Sequence, residues 1–177
     1  LIIWGPDVPA GQSSEAFSYV HDLYSTVVGL AGVPAPGGND SRDLGPVMRG
    51  EKERVHEAVF LPFQKHQRAI RDRNWKLQVY PNIDHRLLFD LRKDPHEMNN
   101  LAGQSEYAGK EAEMVVLMGK SRTRLGDSQP LKVANPQPKA AVYDNAKRSM
   151  DVWQPKWIRD KYFDGRDTPN HGPRQRK

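Results

Sequence analysis

The chain has no cysteine among its 177 residues. Disulfides, thiolate-held metals and a cysteine nucleophile are therefore excluded within it, and its redox compartment leaves no trace. No apolar run approaches the roughly 18–20 residues of a membrane-spanning helix. The opening L-I-I-W lacks the basic segment and cleavage site of a secretory signal. The six histidines show no H-E-x-x-H, H-x-H or zinc-finger spacing. G-P-D-V-P-A-G fits neither a P-loop nor a dinucleotide fingerprint, and G-x-S-x-G does not occur.

What is present suits a globular domain with one core. The apolar fraction is 37% and the charged fraction 28%. The chain starts at Leu1 inside a strand-like run and reads as a piece of a longer protein. Net charge is +5, and residues 151–177 carry seven Lys/Arg against four Asp. Such a tail suits nucleic acid or an anionic polymer, and equally a solvated end.

Pattern divides the chain. Residues 1–4 read as a strand stopped by Gly5 and Pro6. From Ser13 to Gly32 the spacing of Val20, Leu23, Tyr24, Val27, Leu30 and Ala31 predicts a helix with one apolar face. A serine is expected to cap its start, Gly32 to take the left-handed position after its end, and Pro34 to block continuation. Residues 34–54 are Gly/Pro-rich loop with room for one helical turn at Pro46 to Arg49. Then come E-A-V-F-L-P-F, Q-R-A-I-R, W-K-L-Q-V-Y-P and R-L-L-F-D-L, separated by Q-K-H, D-R-N and N-I-D-H. Trp75, Leu77 and Val79 alternate with Lys76, Gln78 and Tyr80, which predicts a half-buried antiparallel strand. Residues about 57–91 thus form a small antiparallel sheet, with about 66–72 paired to 75–81. A second helix is expected over 104–126, with Tyr107, Met114, Leu117, Met118 and Leu125 as its apolar stripe and Gly126 as its stop. The tail aromatics Trp153, Trp157, Tyr162 and Phe163, with Ile158, are expected to dock on the body, because water is a costly place for them.

The stretch L-L-F-D-L-R-K-D-P-H-E-M-N-N-L-A crowds Asp90, Asp94, Glu97, Asn99 and Asn100 together. A hard cation could bind there. The competing reading is punctuation: Asp94 as N-cap, Pro95 at the first helical position and Glu97 as capping-box partner, with Asn99 and Asn100 closing the turn. The second reading is preferred.

Four segments in order carry further information: L-I-I-W-G-P-D-V-P-A-G, S-Y-V-H-D-L-Y-S-T-V-V-G-L-A-G-V-P, Q-R-A-I-R-D-R-N-W-K-L and L-L-F-D-L-R-K-D-P-H-E-M-N-N-L-A. Over about residues 1–102 this series resembles the C-terminal part of the sulfatase family, the sulfuric ester hydrolases of the alkaline-phosphatase-like superfamily. Ser25 stands where that family usually has proline. The resemblance implies an α/β fold, here an α+β piece. It is the end of an alkaline-phosphatase-like α/β/α domain (1–55), a small antiparallel-sheet subdomain with a packed helix (56–126), and an extended Pro-rich, basic tail (127–177).

The resemblance also implies sulfate-ester hydrolysis, of sulfated carbohydrate or aryl- or choline-type esters. Family members use formylglycine, made from Cys or Ser in C/S-x-P/A-x-R, and calcium held by Asp/Asn. This sequence contains no such signature, so no catalytic residue and no metal ligand can be placed in it. The piece alone is expected to be inactive. Its implied contribution is scaffold and part of the substrate cleft. Gln64, Lys65 and His66 stand in the connector expected to reach that cleft, where a lysine beside an imidazole suits an anionic ester. Arg68 and Arg71, three apart on one strand, should face opposite ways. The implied partners are the anionic substrate and the upstream remainder of the polypeptide, with no membrane and no nucleic acid. The implied location is periplasmic or secreted. The alternative is a non-catalytic basic module that binds nucleic acid or anionic polysaccharide through its tail.

Overall fold

The structure is a computed structural model that describes residues 1–6, 8–34, 37–138, 155, 157 and 158. The chain forms two compact units, Leu1–Gln137 and Pro138–Lys177. Among the described residues no helix is long and apolar enough to cross a membrane.

The first unit is organised by a four-stranded antiparallel meander: β1 (Val59–Phe63), β2 (Gln67–Arg71), β3 (Trp75–Tyr80) and β4 (His85–Asp90), in that order. The alternation seen in the sequence sets its register. Phe60, Ile70, Leu77 and Leu88 stand opposite one another in a single row across all four strands. All four are buried, and helix α3 (Ala108–Arg124) lays Met114 and Met118 over the row. A fully buried side chain of this size contributes ~1.5–3 kcal/mol, so this row and its methionine lid are the main apolar source of stability in the unit.

Both sheet edges are closed, as an unpaired strand edge would otherwise invite another chain. On β1 the Phe60 N–H donates to the Tyr19 hydroxyl at 2.5 Å, and that hydroxyl donates to the Phe60 carbonyl at 3.2 Å. Pro62, farther along β1, has no N–H to offer. On β4 the Leu88 N–H donates to Asn100 Oδ1 at 2.9 Å, the Leu88 carbonyl accepts from the Leu101 N–H at 2.9 Å, and Asn100 Nδ2 donates to the Arg86 carbonyl at 3.1 Å.

Helix α1 (Asp22–Leu30) corrects the sequence reading in two ways. It starts at Asp22, and its first turn has no serine cap: the Asp22 carboxylate turns back and accepts from the Tyr19 N–H at 2.6 Å. Its inward face is polar. Asp22, Ser25 and Thr26 are buried, whereas Val20, Tyr24, Val27 and Leu30 are 50 to 87% exposed. The apolar stripe exists, but no described element covers it. The end of the helix is as expected. Gly32, at φ +68°, follows a Schellman pair in which the Gly32 N–H donates to the Gly29 carbonyl and the Val33 N–H to the Val28 carbonyl.

Residues 1–4 are not a strand, and Leu1, Ile2 and Trp4 are exposed. An apolar run becomes a strand only beside another strand, and none of β1 to β4 is free to take it. The expected turn at Pro46 is present as α2 (Gly45–Met48). In the second unit Trp157 is 63% exposed, and the Ile158 N–H donates to the Pro155 carbonyl at 3.0 Å. Trp153, Tyr162, Phe163 and nearly all of the basic tail lie outside the described residues.

Candidate functional site

The acidic stretch does not converge on a cation. Asp94 Oδ2 accepts from the Asn99 N–H at 2.7 Å. Backbone donors at Met98 and Asn99 hold its carboxyl below the usual carboxylate range. Glu97 takes both its oxygens to Lys76, at 2.8 and 2.7 Å. Asp90 Oδ1 accepts from the Arg92 N–H at 3.1 Å. Asn100 is spent on the edge of β4. The punctuation reading holds in kind and needs correcting in detail. No helix follows Asp94, and Glu97 sits at φ +57° facing Lys76, so the carboxylate ties off a loop and there is no capping box. Among the described residues no group of three or more His, Asp or Glu is placed to hold a metal ion, and the oxygens of this stretch do not fit calcium.

A buried polar hub, unforeseen in the sequence, stitches α1 to the loop before α2 and to the segment that leads into β1. Asp22 Oδ2 meets His56 Nε2 at 2.8 Å, and Oδ1 accepts from the Arg42 N–H at 2.8 Å. Thr26 Oγ1 donates to the Asp22 carbonyl at 2.7 Å and accepts from the Leu44 N–H at 3.0 Å. Tyr19 lies edge-on to His56, with ring centroids 5.1 Å apart. Every oxygen of Asp22 has a donor, as a fully buried carboxylate requires. D-x-x-S-T at helical spacing was the available signal, because it puts Asp22, Ser25 and Thr26 on one face.

The connector carrying Gln64, Lys65 and His66 is an exposed three-residue turn between β1 and β2. Gln64 adopts φ +44°, and the His66 N–H donates to the Phe63 carbonyl at 3.0 Å. Arg68 fixes the turn from below. It is buried, and its Nη1 donates to the carbonyls of Gln64 and Gln67. Its Nε and Nη2 form a fork onto Asp127 at 3.0 and 2.9 Å. Arg122 adds a third bond to Asp127 at 2.9 Å. Arg68 bonding holds the Asp127 carboxyl down to about 2 against the opposing effect of burial, with help from Arg122. With its donors spent in this way, Arg68 is anchorage for the turn. Arg71 points the other way, its guanidinium 5.6 Å from the Phe17 ring centroid, so the pair does split between the faces.

A meander returns alternate connectors to the same end of the sheet. The turn after β3, Pro81–Ile83, therefore lies beside the Gln64–His66 turn. Asn82 Nδ2 lies 3.3 Å from the Lys65 carbonyl and 3.3 Å from His66 Nδ1. Among the described residues the Lys65 ammonium and His66 Nε2 have no partner. The result is a small cationic rim whose backbone is held from three sides and whose two side chains face solvent. Nothing in it can act as a nucleophile with its own base. It can bind and orient an anion.

Residues 1–124 match the family described as N-sulphoglucosamine sulphohydrolase, C-terminal. Among curated relatives, N-acetylglucosamine-6-O-sulfatase of Bacteroides thetaiotaomicron is 32% identical over 73% of this chain and 26% of its own length. A structure solved in complex with its substrate D-glucosamine-2-N,6-O-disulfate is similar with a TM-score of 0.65 and 28% identity, over 70% of this chain and 28% of that one. The phosphonate monoester hydrolase of Agrobacterium radiobacter is similar with a TM-score of 0.56 and 25% identity, over 65% and 27% of the two chains. The chain spans about a quarter of the length of that curated relative. The match in both sequence and fold places it: the chain belongs to the sulfatase family, as a C-terminal sulfatase domain of the N-sulphoglucosamine sulphohydrolase type.

Proposed function

We propose that this chain is the C-terminal portion of an enzyme that hydrolyses the sulfate ester of a sulfated amino sugar. Here it builds part of the substrate cleft and leaves the chemistry to residues outside these 177. The observation that carries the reading is the rim at the end of the sheet, where an unpaired lysine and an imidazole stand on a turn locked by Arg68 and Asn82. The similarity to an N-acetylglucosamine-6-O-sulfatase and to a structure in complex with D-glucosamine-2-N,6-O-disulfate supports the choice of sugar. Formylglycine and calcium belong to this proposal as groups of the longer polypeptide, with no ligand among the described residues. An extracytoplasmic location, periplasmic or secreted, goes with the reading because sulfated glycans are met there.

The test uses the full-length enzyme. Lys65→Ala and His66→Ala should raise KM for D-glucosamine-2-N,6-O-disulfate, which carries a second sulfate beyond the scissile one, by about ten- to a hundredfold, the worth of a lost charge-assisted contact, and change kcat less. A minimal aryl sulfate, which has no anion beyond the scissile one, should be affected less. Equal small effects on both substrates would reduce the rim to ordinary surface.

A second reading follows from the likeness to a phosphonate monoester hydrolase. A cationic rim takes a phosphonate monoester as readily as a sulfate monoester. Activity on an aryl phosphonate monoester that exceeds activity on the aryl sulfate would favour it. The basic-module alternative rests on residues 151–177, nearly all outside the described residues, and it leaves the match over 1–124 unexplained.

A further inference from the structure

We propose that Asn82 is a positioning residue that fixes the protonation pattern of His66, making its Nε2–H an outward donor for an oxyanion. The inference rests on the preceding reading only for what the donor meets. The lock itself is a property of this chain.

The argument begins with what each atom can do. The carboxamide nitrogen of Asn82 has two hydrogens and accepts nothing. One of its neighbours, the Lys65 carbonyl at 3.3 Å, can only accept. That contact decides which way the amide faces: nitrogen toward the connector. The second hydrogen is then directed at His66 Nδ1, also at 3.3 Å. A nitrogen that faces an N–H must offer its lone pair, so Nδ1 is unprotonated. In the neutral ring the proton is therefore on Nε2.

Asn82 is itself held. Its backbone carbonyl accepts from the Gln137 N–H at 2.6 Å. It follows Pro81 in a 3-10 turn that closes at Asp84, which takes the left-handed conformation at φ +45°. The ring it orients is exposed, with Phe63 alongside at 6.3 Å between centroids. A donor fixed before the ligand arrives loses less freedom on binding than a ring free to flip. The His66 Nε2–H and the Lys65 ammonium then present two kinds of donor from adjacent residues to the same anion.

The test is nitrogen NMR on the intact 177-residue chain labelled with 15N-histidine, with the His66 signals assigned by their loss in His66→Gln. In the neutral form of the ring, wild type should show Nδ1 as the pyridine-like and Nε2 as the pyrrole-like nitrogen. Asn82→Asp replaces the donor by an acceptor and should draw the proton to Nδ1, which reverses the two signals. Asn82→Ala should leave a mixture. A wild-type ring protonated at Nδ1, or signals that do not change in either variant, overturns the proposal. D-glucosamine-2-N,6-O-disulfate added to the full-length enzyme should shift the Nε2 signal of wild type, with binding about fivefold weaker in Asn82→Asp. If the signals reverse as expected but the disulfate leaves His66 unmoved, the lock stands and the substrate reading fails.

Discussion

Lys76 on β3 donates from Nζ to both carboxylate oxygens of Glu97, at 2.8 and 2.7 Å. The pair joins two stretches that read as separate motifs, W-K-L and D-P-H-E, and holds the loop after β4 against the sheet. It also accounts for a residue in a conformation L-amino acids rarely take, since Glu97 at φ +57° must find support outside its own backbone. The side chains are 18 and 30% exposed, so the pair is partly shielded. A double-mutant cycle with Lys76→Ala and Glu97→Ala should give a coupling of about 1 kcal/mol in urea unfolding. A coupling near zero would mean that the loop is held by Asp94 and Asn100 alone.

Asp127 gives a pH signature. Gly126, at φ +67°, turns the chain at the end of α3, and the Asp127 N–H closes the turn on the Arg122 carbonyl at 2.9 Å. The turn delivers the Asp127 carboxylate to Arg68 and Arg122, whose bonding lowers its pKa from 3.8 to about 2. A carboxyl with a folded pKa below its unfolded one adds stability above the unfolded value and loses it as pH falls through the folded one. Its contribution should be complete above about pH 5 and disappear between about pH 4 and pH 2, amounting to at most about 2 kcal/mol. Asp127→Asn should be less stable at pH 7 and should lose less on going to pH 2. Parallel stability curves for wild type and variant over that window would contradict the assignment.

The sheet was legible in the sequence because its signal is local. Alternation in W-K-L-Q-V-Y names the buried face, and D-R-N is short enough to force antiparallel pairing, observed as Arg68↔Val79 through Arg71↔Lys76. Helix α3 was legible for the same reason, apart from its first turn, which is 3-10 over Ser105–Tyr107. Helix α1 shows where pattern stops being enough. Periodicity locates an apolar stripe but does not say which face packs inward. Here the inward face is chosen by Asp22 and Thr26, which supply acceptors for the N–H groups of Tyr19, Arg42 and Leu44. Arg42 and Leu44 come from a loop with no pattern of its own. The rim was half legible: Lys65 and His66 follow from the resemblance, whereas Asn82 enters only once the meander returns its turn to the same end of the sheet.

The chain alone should not turn over 4-nitrophenyl sulfate, with or without added calcium. The rim offers donors and a lysine but no nucleophile with a base in reach, and the sequence has no formylglycine signature. A rate clearly above a heat-treated control would place chemistry within these 177 residues and refute the division of labour proposed above.

The inverted polarity of α1 gives the sharpest contrast between variants. Val27 and Leu30 are 63 and 55% exposed, so Val27→Lys and Leu30→Lys remove little packing within this chain and should each change its stability by no more than about 0.5 kcal/mol. Thr26 is next to Val27 in sequence and is buried. Thr26→Val keeps the shape but leaves the Leu44 N–H without its acceptor, which should cost about 1–3 kcal/mol. An ordinary amphipathic helix would give the opposite order, with the lysines severe and the threonine mild. In the full-length enzyme the lysine variants should become the damaging ones, because a stripe left bare by this chain is where the rest of an α/β domain would pack. Thermal unfolding of the same three variants in both contexts reads the difference directly. If the lysines are harmless in the full-length enzyme as well, the stripe is free surface, and α1 is held to the fold by its polar face alone.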